Sequence, residues 1–150
     1  MQDCSVVQKS WAELTTDELY SFLKLRTDVF FVEQKVDEEE LDNRDQEPTT
    51  QHLWIADEKG AAAYLRIIVD AEPEFRDART TFGRVAVRSD HRGEGLAQVL
   101  IARVMEQVGH DPMYLHAQEY VTALYEKYGF VVHGESYIEA GLPHIMMYRP

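Results

Sequence analysis

The segment from residue 81 to 104, TFGRVAVRSDHRGEGLAQVLIARV, constrains the fold more than any other part of the chain. Its first seven residues alternate as a β-strand does, with Val85 and Val87 on one face. Gly93 and Gly95 follow, and apolar residues then recur at the spacing of a helix. A strand, a glycine turn and a helix in this order present free backbone N–H groups and a helix dipole to an anion. The segment therefore predicts a phosphate-binding turn.

The spacing within this turn excludes two common nucleotide sites. A P-loop requires a lysine and a serine or threonine after its second glycine, and no such pair follows Gly95. A dinucleotide-binding turn requires a third glycine at the position of Gln98. Gly109 is predicted to end the following helix in a left-handed cap. The apolar face of that helix consists of Leu96, Val99, Leu100, Val104 and Val108.

Most of the remaining chain is predicted as short strands and helices. The sequence TTDE at residues 15–18 fits a capping box, and the helix after it has one apolar face. That face consists of Leu19, Phe22, Leu23, Val29 and Phe30. Strands are predicted at residues 4–9, 52–57, 61–70, 113–118, 130–135 and 144–148, and a short helix at 121–128. No internal repeat divides the chain, so we expect a single domain over residues 1–150.

The segment from residue 35 to 50, KVDEEELDNRDQEPTT, is strongly charged and has no apolar period. A calcium-binding loop of the EF-hand type needs a central glycine, and this segment contains none. We therefore interpret it as a solvated or lid-like loop.

Charge and composition narrow the classes of partner. The 15 basic and 27 acidic residues give a net charge of −12, which repels nucleic acid and permits steering of a cationic substrate. No apolar stretch approaches the roughly 20 residues that a membrane span needs. The N-terminus lacks the pattern of a signal peptide, so we expect a cytoplasmic protein without a membrane partner. Cys4, the only cysteine, excludes an internal disulfide and is expected to be a small buried or fraying thiol rather than a nucleophile.

The turn retains the pattern Arg92-x-x-Gly95-x-Ala97. This pattern resembles the R/Q-x-x-G-x-G/A signature of the GCN5-related N-acetyltransferases, the GNAT superfamily, whose turn holds the pyrophosphate of acetyl-CoA. The segment ALYEKYGF at residues 123–130 resembles a later helix of the same family. Residues 19–34, 63–68, 115–118 and 137–147 resemble the ElaA-like branch. Ala97 stands where many members have glycine, and the acidic loop departs from the branch.

The resemblance implies a mixed α/β fold, with a mostly antiparallel sheet splayed between its fourth and fifth strands and helices on both faces. It implies transfer of an acetyl group from acetyl-CoA to a primary amine of a small molecule or peptide, and it permits a homodimer. The residues implied to bind the cofactor are Val85, Ala86, Val87, Arg92, Gly93, Glu94, Gly95, Leu96, Ala97, Gln118 and Tyr125. Two alternatives stay open, namely a CoA-binding sensor or interaction module without turnover and a nucleotide-phosphate module.

The resemblance also implies catalytic roles. Tyr125 would be the general acid for the departing thiolate, and a tyrosine with a pKa of about 10 is protonated at neutral pH. The alternative for Tyr125 is a core aromatic residue. The candidate general bases are Glu33, His52, His116 and His144, with Glu139 as a further proton acceptor. Each of them could instead be a solvated carboxylate or a structural imidazole.

Two further predictions concern charged side chains. Arg66 and Arg84 could bind a substrate carboxylate or an acid of the 35–50 loop. The six histidines show no H-x-x-x-H pair and no neighbouring cysteine, so no metal site is predicted, and His91 and His110 are expected to face solvent or to cap a helix.

Overall fold

The computed structural model describes residues 5–150, so the expectation for Cys4 lies outside the described residues. Within this range the strands are β1 (Val6–Lys9), β2 (Gln51–Asp57), β3 (Gly60–Val69), β4 (Thr80–Val87), β5 (Met113–Gln118), β6 (Val131–Glu139) and β7 (Leu142–Arg149). The helices are α1 (Thr16–Arg26), which continues into a π-helical segment (Thr27–Glu33), α2 (Leu96–Val108) and α3 (Thr122–Glu126). The predicted strands and helices from residue 15 onward are confirmed, and the closing strand pair is longer than predicted. The 35–50 loop contains no helix or strand, as expected.

The strands form one sheet in the order β1-β2-β3-β4-β5-β7-β6. Neighbouring strands are antiparallel except β4 and β5, which are parallel. These two strands pair only at Thr80 with Met113 and at Thr81 with Tyr114, and they diverge beyond those residues. The sheet is therefore mostly antiparallel and splayed between its fourth and fifth strands, as predicted.

Helices cover both faces of the sheet because the strands bury alternate residues on opposite sides. Leu53 and Ile55 of β2 pack in one core cluster with α2, whereas Trp54 packs in a second cluster with α1. The predicted apolar face of the first helix lies in this second cluster, which contains Leu19, Phe22, Leu23, Val29 and Phe30. The α/β fold class with helices on both faces is confirmed.

The start and the end of the first helix are specified by different signals. Thr15 and Glu18 form the predicted capping box, since the Thr15 hydroxyl accepts from the Glu18 N–H at 3.1 Å and the Glu18 carboxylate accepts from the Thr15 N–H at 2.9 Å. At the other end, the N–H of Gln34 donates to the carbonyl of Val29 at 3.0 Å, five residues back. Such widened turns are frequent at functional sites.

Buried ion pairs hold the acidic loop against the sheet. Asp45 is almost fully buried and accepts from Arg26 at 2.8 Å and from Arg66 at 2.9 Å. Burial opposes the charge of Asp45, but the hydrogen bond from Arg26 and the charges of both arginines outweigh it and lower the pKa of this carboxyl. Arg84 donates to Glu40 at 3.1 Å. Of the two open interpretations for Arg66 and Arg84, the structure supports binding to acids of the loop.

The prediction for Gly109 is wrong. Its φ of −65° is right-handed, and its N–H donates to the carbonyl of Met105 at 2.9 Å, so the last turn of α2 continues through the glycine instead of reversing there. In the part of the chain that the structure describes, no helix has the length and apolar content to cross a membrane.

Candidate active site

The divergence of β4 and β5 opens a cleft of about 860 Å³. Residues 82–87 of β4 and 115–118 of β5 form its walls, and the π-helical segment closes one side through Val29, Phe30 and Glu33. The volume is within the range of about 300–1,000 Å³ that small-molecule sites occupy. The cleft is therefore the candidate active site.

A β-bulge lies on the β4 wall of the cleft. Tyr64 pairs with Ala86 and Arg66 pairs with Gly83, so β4 has one residue more than β3 between these two pairs. Arg84 has a positive φ of 52°, and Val85 has no partner in the register. Because β5 has already diverged, the cleft side of β4 has no neighbouring strand. A bulge beside an open strand edge changes the direction in which backbone groups point, and bulges are frequent next to active sites.

The predicted phosphate-binding turn forms at the end of β4. Gly93 and Gly95 have φ values of 84° and 80°, which L-residues with side chains rarely adopt. No heavy atom outside the neighbouring residues lies within 4 Å of a side chain built at Gly93, so the turn is open to a ligand. The helix α2 begins at Leu96, and its first N–H groups have no partner inside the helix.

The predicted cofactor residues of the turn have distinct positions. Arg92 and Ala97 line the cleft, whereas Gly93, Glu94 and Gly95 form the turn itself. Leu96 is buried in the core beneath the turn, so only its backbone could reach a ligand. The strand residues Val85, Ala86 and Val87 line the cleft, as do Gln118 and Tyr125.

The side chains of two consecutive residues link the π-helical segment to both walls. Glu33 accepts from the Arg92 guanidinium at 2.6 Å, and Arg92 also donates to the carbonyl of Val87 at 3.1 Å. Gln34 accepts from the Gln118 amide at 3.1 Å. The carboxylate of Glu33 is therefore ion-paired with Arg92 of the turn.

Tyr125 of α3 lines the cleft. The residue is 8% exposed and packs edge-on against Phe82, with ring centroids 5.7 Å apart. Its hydroxyl has no hydrogen-bond partner among residues 5–150, and it is not one of the fully buried unpartnered atoms, so it keeps some contact with solvent. Burial raises the pKa of Tyr125 to about 12, so the phenol stays protonated at neutral pH. A protonated and unpartnered hydroxyl can donate to a group that gains negative charge.

His144 is one of two candidate bases whose imidazole lines the cleft with one nitrogen that has no hydrogen-bond partner among residues 5–150. It lines the cleft and is 7% exposed, and its Nδ1 lies 2.8 Å from the carbonyl of Leu142. Because a carbonyl only accepts hydrogen bonds, Nδ1 carries the hydrogen, and Nε2 of the neutral ring has a free lone pair. The nearest carboxylate oxygen of Glu139 lies 3.9 Å from Nε2.

His116 also lines the cleft, and its Nδ1 is 2.6 Å from the hydroxyl of Tyr137.

The prediction of His52 as a base is wrong. His52 has no exposed surface and lies outside the cleft, stacked on Phe22 at 5.0 Å between ring centroids. Its Nδ1 is 2.6 Å from the hydroxyl of Tyr64, and its Nε2 is 3.0 Å from the carbonyl of Asp45. Burial lowers the pKa of His52, which fits a neutral structural imidazole.

His91 connects the turn at Gly93 and Gly95 to the β2–β3 hairpin. Its Nδ1 lies 2.8 Å from Glu94 and its Nε2 lies 2.8 Å from Asp57, which also accepts from Arg88. The hydrogen bonds to Glu94 and Asp57 raise the pKa of His91. Ligand atoms of Asp57, Asp90 and His91 lie within 4.8 Å of one another, but Arg88 donates to both aspartates, which fits an ion-pair network rather than a metal site.

The stability of this hairpin contact should depend on pH. Because the folded-state pKa of His91 is raised, its stabilising effect is complete below its usual pKa of about 6.5 and is lost as the pH rises through the folded value. His91→Gln should therefore lower Tm at about pH 5.5, and the difference from wild type should disappear by about pH 9. The charges that face the ring are Asp57, Asp90, Glu94 and Arg88, with Lys59 3.7 Å from Asp90.

Thermal unfolding followed by circular dichroism across this pH range measures the effect. The control is His110→Gln, because His110 is 77% exposed and 3.6 Å from Asp111 only. A Tm difference for His91→Gln that is constant with pH would contradict the role of the imidazolium charge.

Sequence reasoning missed many of the residues that line the cleft, among them Tyr114, Gln34 and Glu74. Tyr114 could have been found, because alternation in the strand MYLHAQ places it on the face of His116. Gln34 and Glu74 carried no signal, since Gln34 depends on the π-helical turn and Glu74 lies in the irregular connection between β3 and β4.

A splayed sheet, a bulged open strand edge, a glycine turn at a helix start and a tyrosine in the cleft agree with what the resemblance to the GNAT superfamily implies. A family model described as an acetyltransferase (GNAT) domain matches residues 13–149. The chain therefore belongs to the GNAT acetyltransferase family.

Named relatives place the chain near the ElaA-like branch. It is 36% identical to the protein ElaA of Escherichia coli K12 over 147 residues, which cover 92% of this chain and 91% of that protein. The crystal structure of Escherichia coli ElaA matches with a TM-score of 0.87 at 32% identity, covering 97% of this chain and 99% of that one. An acyl-CoA N-acyltransferase from Pseudomonas aeruginosa matches with a TM-score of 0.87 at 38% identity, covering 99% of this chain and 100% of that one. The predicted family and branch are confirmed, and acyl-CoA-dependent acyl transfer is supported.

Proposed function

We propose that this protein transfers the acetyl group of acetyl-CoA to a primary amine by direct attack of the amine on the thioester. The observation that carries the proposal is the unpartnered, protonated hydroxyl of Tyr125, which lines the same cleft as the open edge of β4. Family membership supports the acyl-CoA donor. The acetyl group and the amine acceptor are the proposal.

Residues of this chain fit each part of the donor. The N–H groups at the start of α2 and the open turn at Gly93 and Gly95 suit a diphosphate. The open edge of β4 from Val85 to Val87 suits the amide-rich pantetheine arm, which can pair with it as an extended strand would. A backbone N–H at the bulge would stabilise the negative charge that develops on the thioester oxygen.

Two side chains would move the protons. The C–N bond forms as the C–S bond breaks, and Tyr125 donates its proton to the leaving thiolate and recovers one from solvent. Nε2 of His144 accepts, directly or through a water, the proton that the ammonium group must lose before its nitrogen attacks, and the second N–H proton passes to solvent as the amide forms. An alkyl amine with a pKa of about 10.4 is mostly protonated at neutral pH, so Glu139 beside His144 would hold the arriving ammonium group.

The experiment for the proposed function measures CoA release with a thiol reagent over a panel of amines, and the Tm of the protein with and without acetyl-CoA. Release with at least one amine and a rise in Tm are expected. A rise in Tm without release from any amine would favour a CoA-binding module without turnover. No rise and no release would overturn the proposal.

His144→Gln tests the assignment of the base. We expect kcat/KM for the amine to fall about a hundredfold at neutral pH, since general base catalysis contributes factors of about 10²–10⁴. The deficit should shrink at high pH, where hydroxide deprotonates the amine without help. The matched control is His116→Gln, which removes the other imidazole of the cleft. A larger loss in His116→Gln than in His144→Gln would contradict the assignment.

A further inference from the structure

The protein itself already neutralises the positive charges of the cleft. No lysine lines it, and each of its four arginines is ion-paired with a carboxylate of the chain. The pairs are Arg44–Asp70, Arg66–Asp42, Arg84–Glu40 and Arg92–Glu33, with N···O distances of 2.7, 2.5, 3.1 and 2.6 Å. An anionic acceptor would have to break one of these pairs.

Two carboxylates of the cleft lack such a partner. Glu74, in the connection between β3 and β4, and Glu139, at the end of β6, both line the cleft. Among residues 5–150, neither has a lysine or arginine nitrogen within 4.0 Å, and the only close base is His144 at 3.9 Å from Glu139. The uncompensated charge on the cleft walls is therefore negative.

A row of four rings lies between these two carboxylates on one face of the sheet, formed by Tyr114, His116, Tyr137 and His144. The centroids of Tyr114 and His116 are 5.6 Å apart, those of His116 and Tyr137 are 6.2 Å apart, and those of Tyr137 and His144 are 6.1 Å apart. Glu139 lies 3.9 Å from His144 at one end of the row, and Glu74 precedes Phe75, which packs in the cluster of Tyr114 at the other end. Aromatic faces flanked by carboxylates are suited to organic ammonium groups.

The geometry of the cleft assigns separate places to two amines of one molecule. The glycine turn follows β4 at the wide end of the cleft, and the narrow end is where Thr81 pairs with Tyr114. His144 of β7, whose Nε2 has no hydrogen-bond partner, pairs with Gln118 of β5 at the wide end. Tyr114 precedes Gln118 by four residues, or about 13 Å along a strand, so Glu74 lies well away from the base.

We infer that the acceptor is an aliphatic amine that carries a second ammonium group, a diamine or polyamine. Its reacting amine lies at His144 and Glu139, and its distal ammonium group lies against the ring row near Glu74. This inference rests on the proposed function, which supplies the reacting amine. The net charge of −12 would also raise the rate at which such polycations reach the cleft.

The test compares 1,8-diaminooctane, which is long enough to extend along the ring row, with nonylamine, which has the same number of heavy atoms but a methyl group in place of the second ammonium group. Spermidine is added as a polyamine of similar length. We expect 1,8-diaminooctane and spermidine to have a kcat/KM at least about tenfold above that of nonylamine, the effect of one charge-assisted contact. Glu74→Gln should lower this ratio about tenfold, mainly through KM. The matched control is Glu72→Gln, an exposed acid of the same connection outside the cleft lining.

A binding measurement separates this inference from the proposed function. In the presence of CoA, spermidine should raise the Tm of the wild type more than nonylamine does, and Glu74→Gln should reduce the difference. If this binding pattern is found but no amine releases CoA, the inference stands and the proposed function fails. If nonylamine is acetylated as well as 1,8-diaminooctane and spermidine, or if Glu74→Gln lowers all three equally, the inference is overturned while the proposed function stands.

Discussion

Tyr125→Phe is expected to lower the kcat of acetyl-CoA-dependent CoA release about a thousandfold and to leave the affinity for CoA almost unchanged. The substitution removes one hydroxyl that makes no hydrogen bond within residues 5–150, so the protein loses a proton donor and no internal contact. The leaving thiolate must then depart without a proton. Pre-steady-state release of CoA at saturating amine, together with the Kd of CoA by calorimetry, measures the two effects separately.

The matched control is Tyr128→Phe in the same ALYEKYGF segment. Tyr128 packs against the same core but does not line the cleft, and its hydroxyl only reaches the carbonyl of Gln98 at 3.5 Å. We expect this variant to retain wild-type kcat. A Tyr125→Phe enzyme with a kcat within about threefold of wild type would exclude Tyr125 as the general acid.

Asp45→Ala is expected to lower the free energy of unfolding by about 3–5 kcal/mol, because it removes the carboxylate between two buried arginines. Arg26 has no exposed surface and Arg66 is 4% exposed, so water cannot take the place of Asp45, and each guanidinium keeps only one carboxylate partner, Glu40 for Arg26 and Asp42 for Arg66. Urea unfolding followed by tryptophan fluorescence measures the change.

The comparison variant is Asp28→Ala, which removes an exposed i,i+4 partner of Lys24 and should cost about 0.5 kcal/mol or less. The pKa of Asp45 is lowered in the folded state, so its stabilising effect is present above the usual aspartate pKa and is lost as the pH falls through the folded value. A difference between wild type and Asp45→Ala below about 1 kcal/mol at neutral pH would show that the buried pairs contribute little net stability.

The predictable parts of the molecule are those specified by neighbouring residues. The turn at Gly93 and Gly95 could be identified because the backbone conformation and the helix start that it requires lie within a few positions. The apolar face from Leu19 to Phe30 followed from periodicity alone, even though the helix changes its winding within that face. Both features are determined by residues that lie close together in the sequence.

The features that sequence reasoning missed depend on long-range packing. Alternation shows that His52 and Leu53 point to opposite faces of β2, but it does not show which face meets the cleft; the docking of Phe22 decides this. Arg26 stands beside Leu25 in an amphipathic helix and has the sequence context of a surface residue. Its burial depends on acids 14 and 19 residues away in a loop without regular structure.

The divergence of β4 and β5 also bears on self-association. A strand edge with unpaired N–H and C=O groups is a template on which other chains can add. In this sheet two such edges face each other inside a cleft of about 860 Å³, and the contacts of Glu33 with Arg92 and of Gln34 with Gln118 cross it. A small extended molecule fits this space, whereas a strand of another folded protein does not. The molecule thus keeps backbone groups available for a ligand without offering them to an aggregating neighbour.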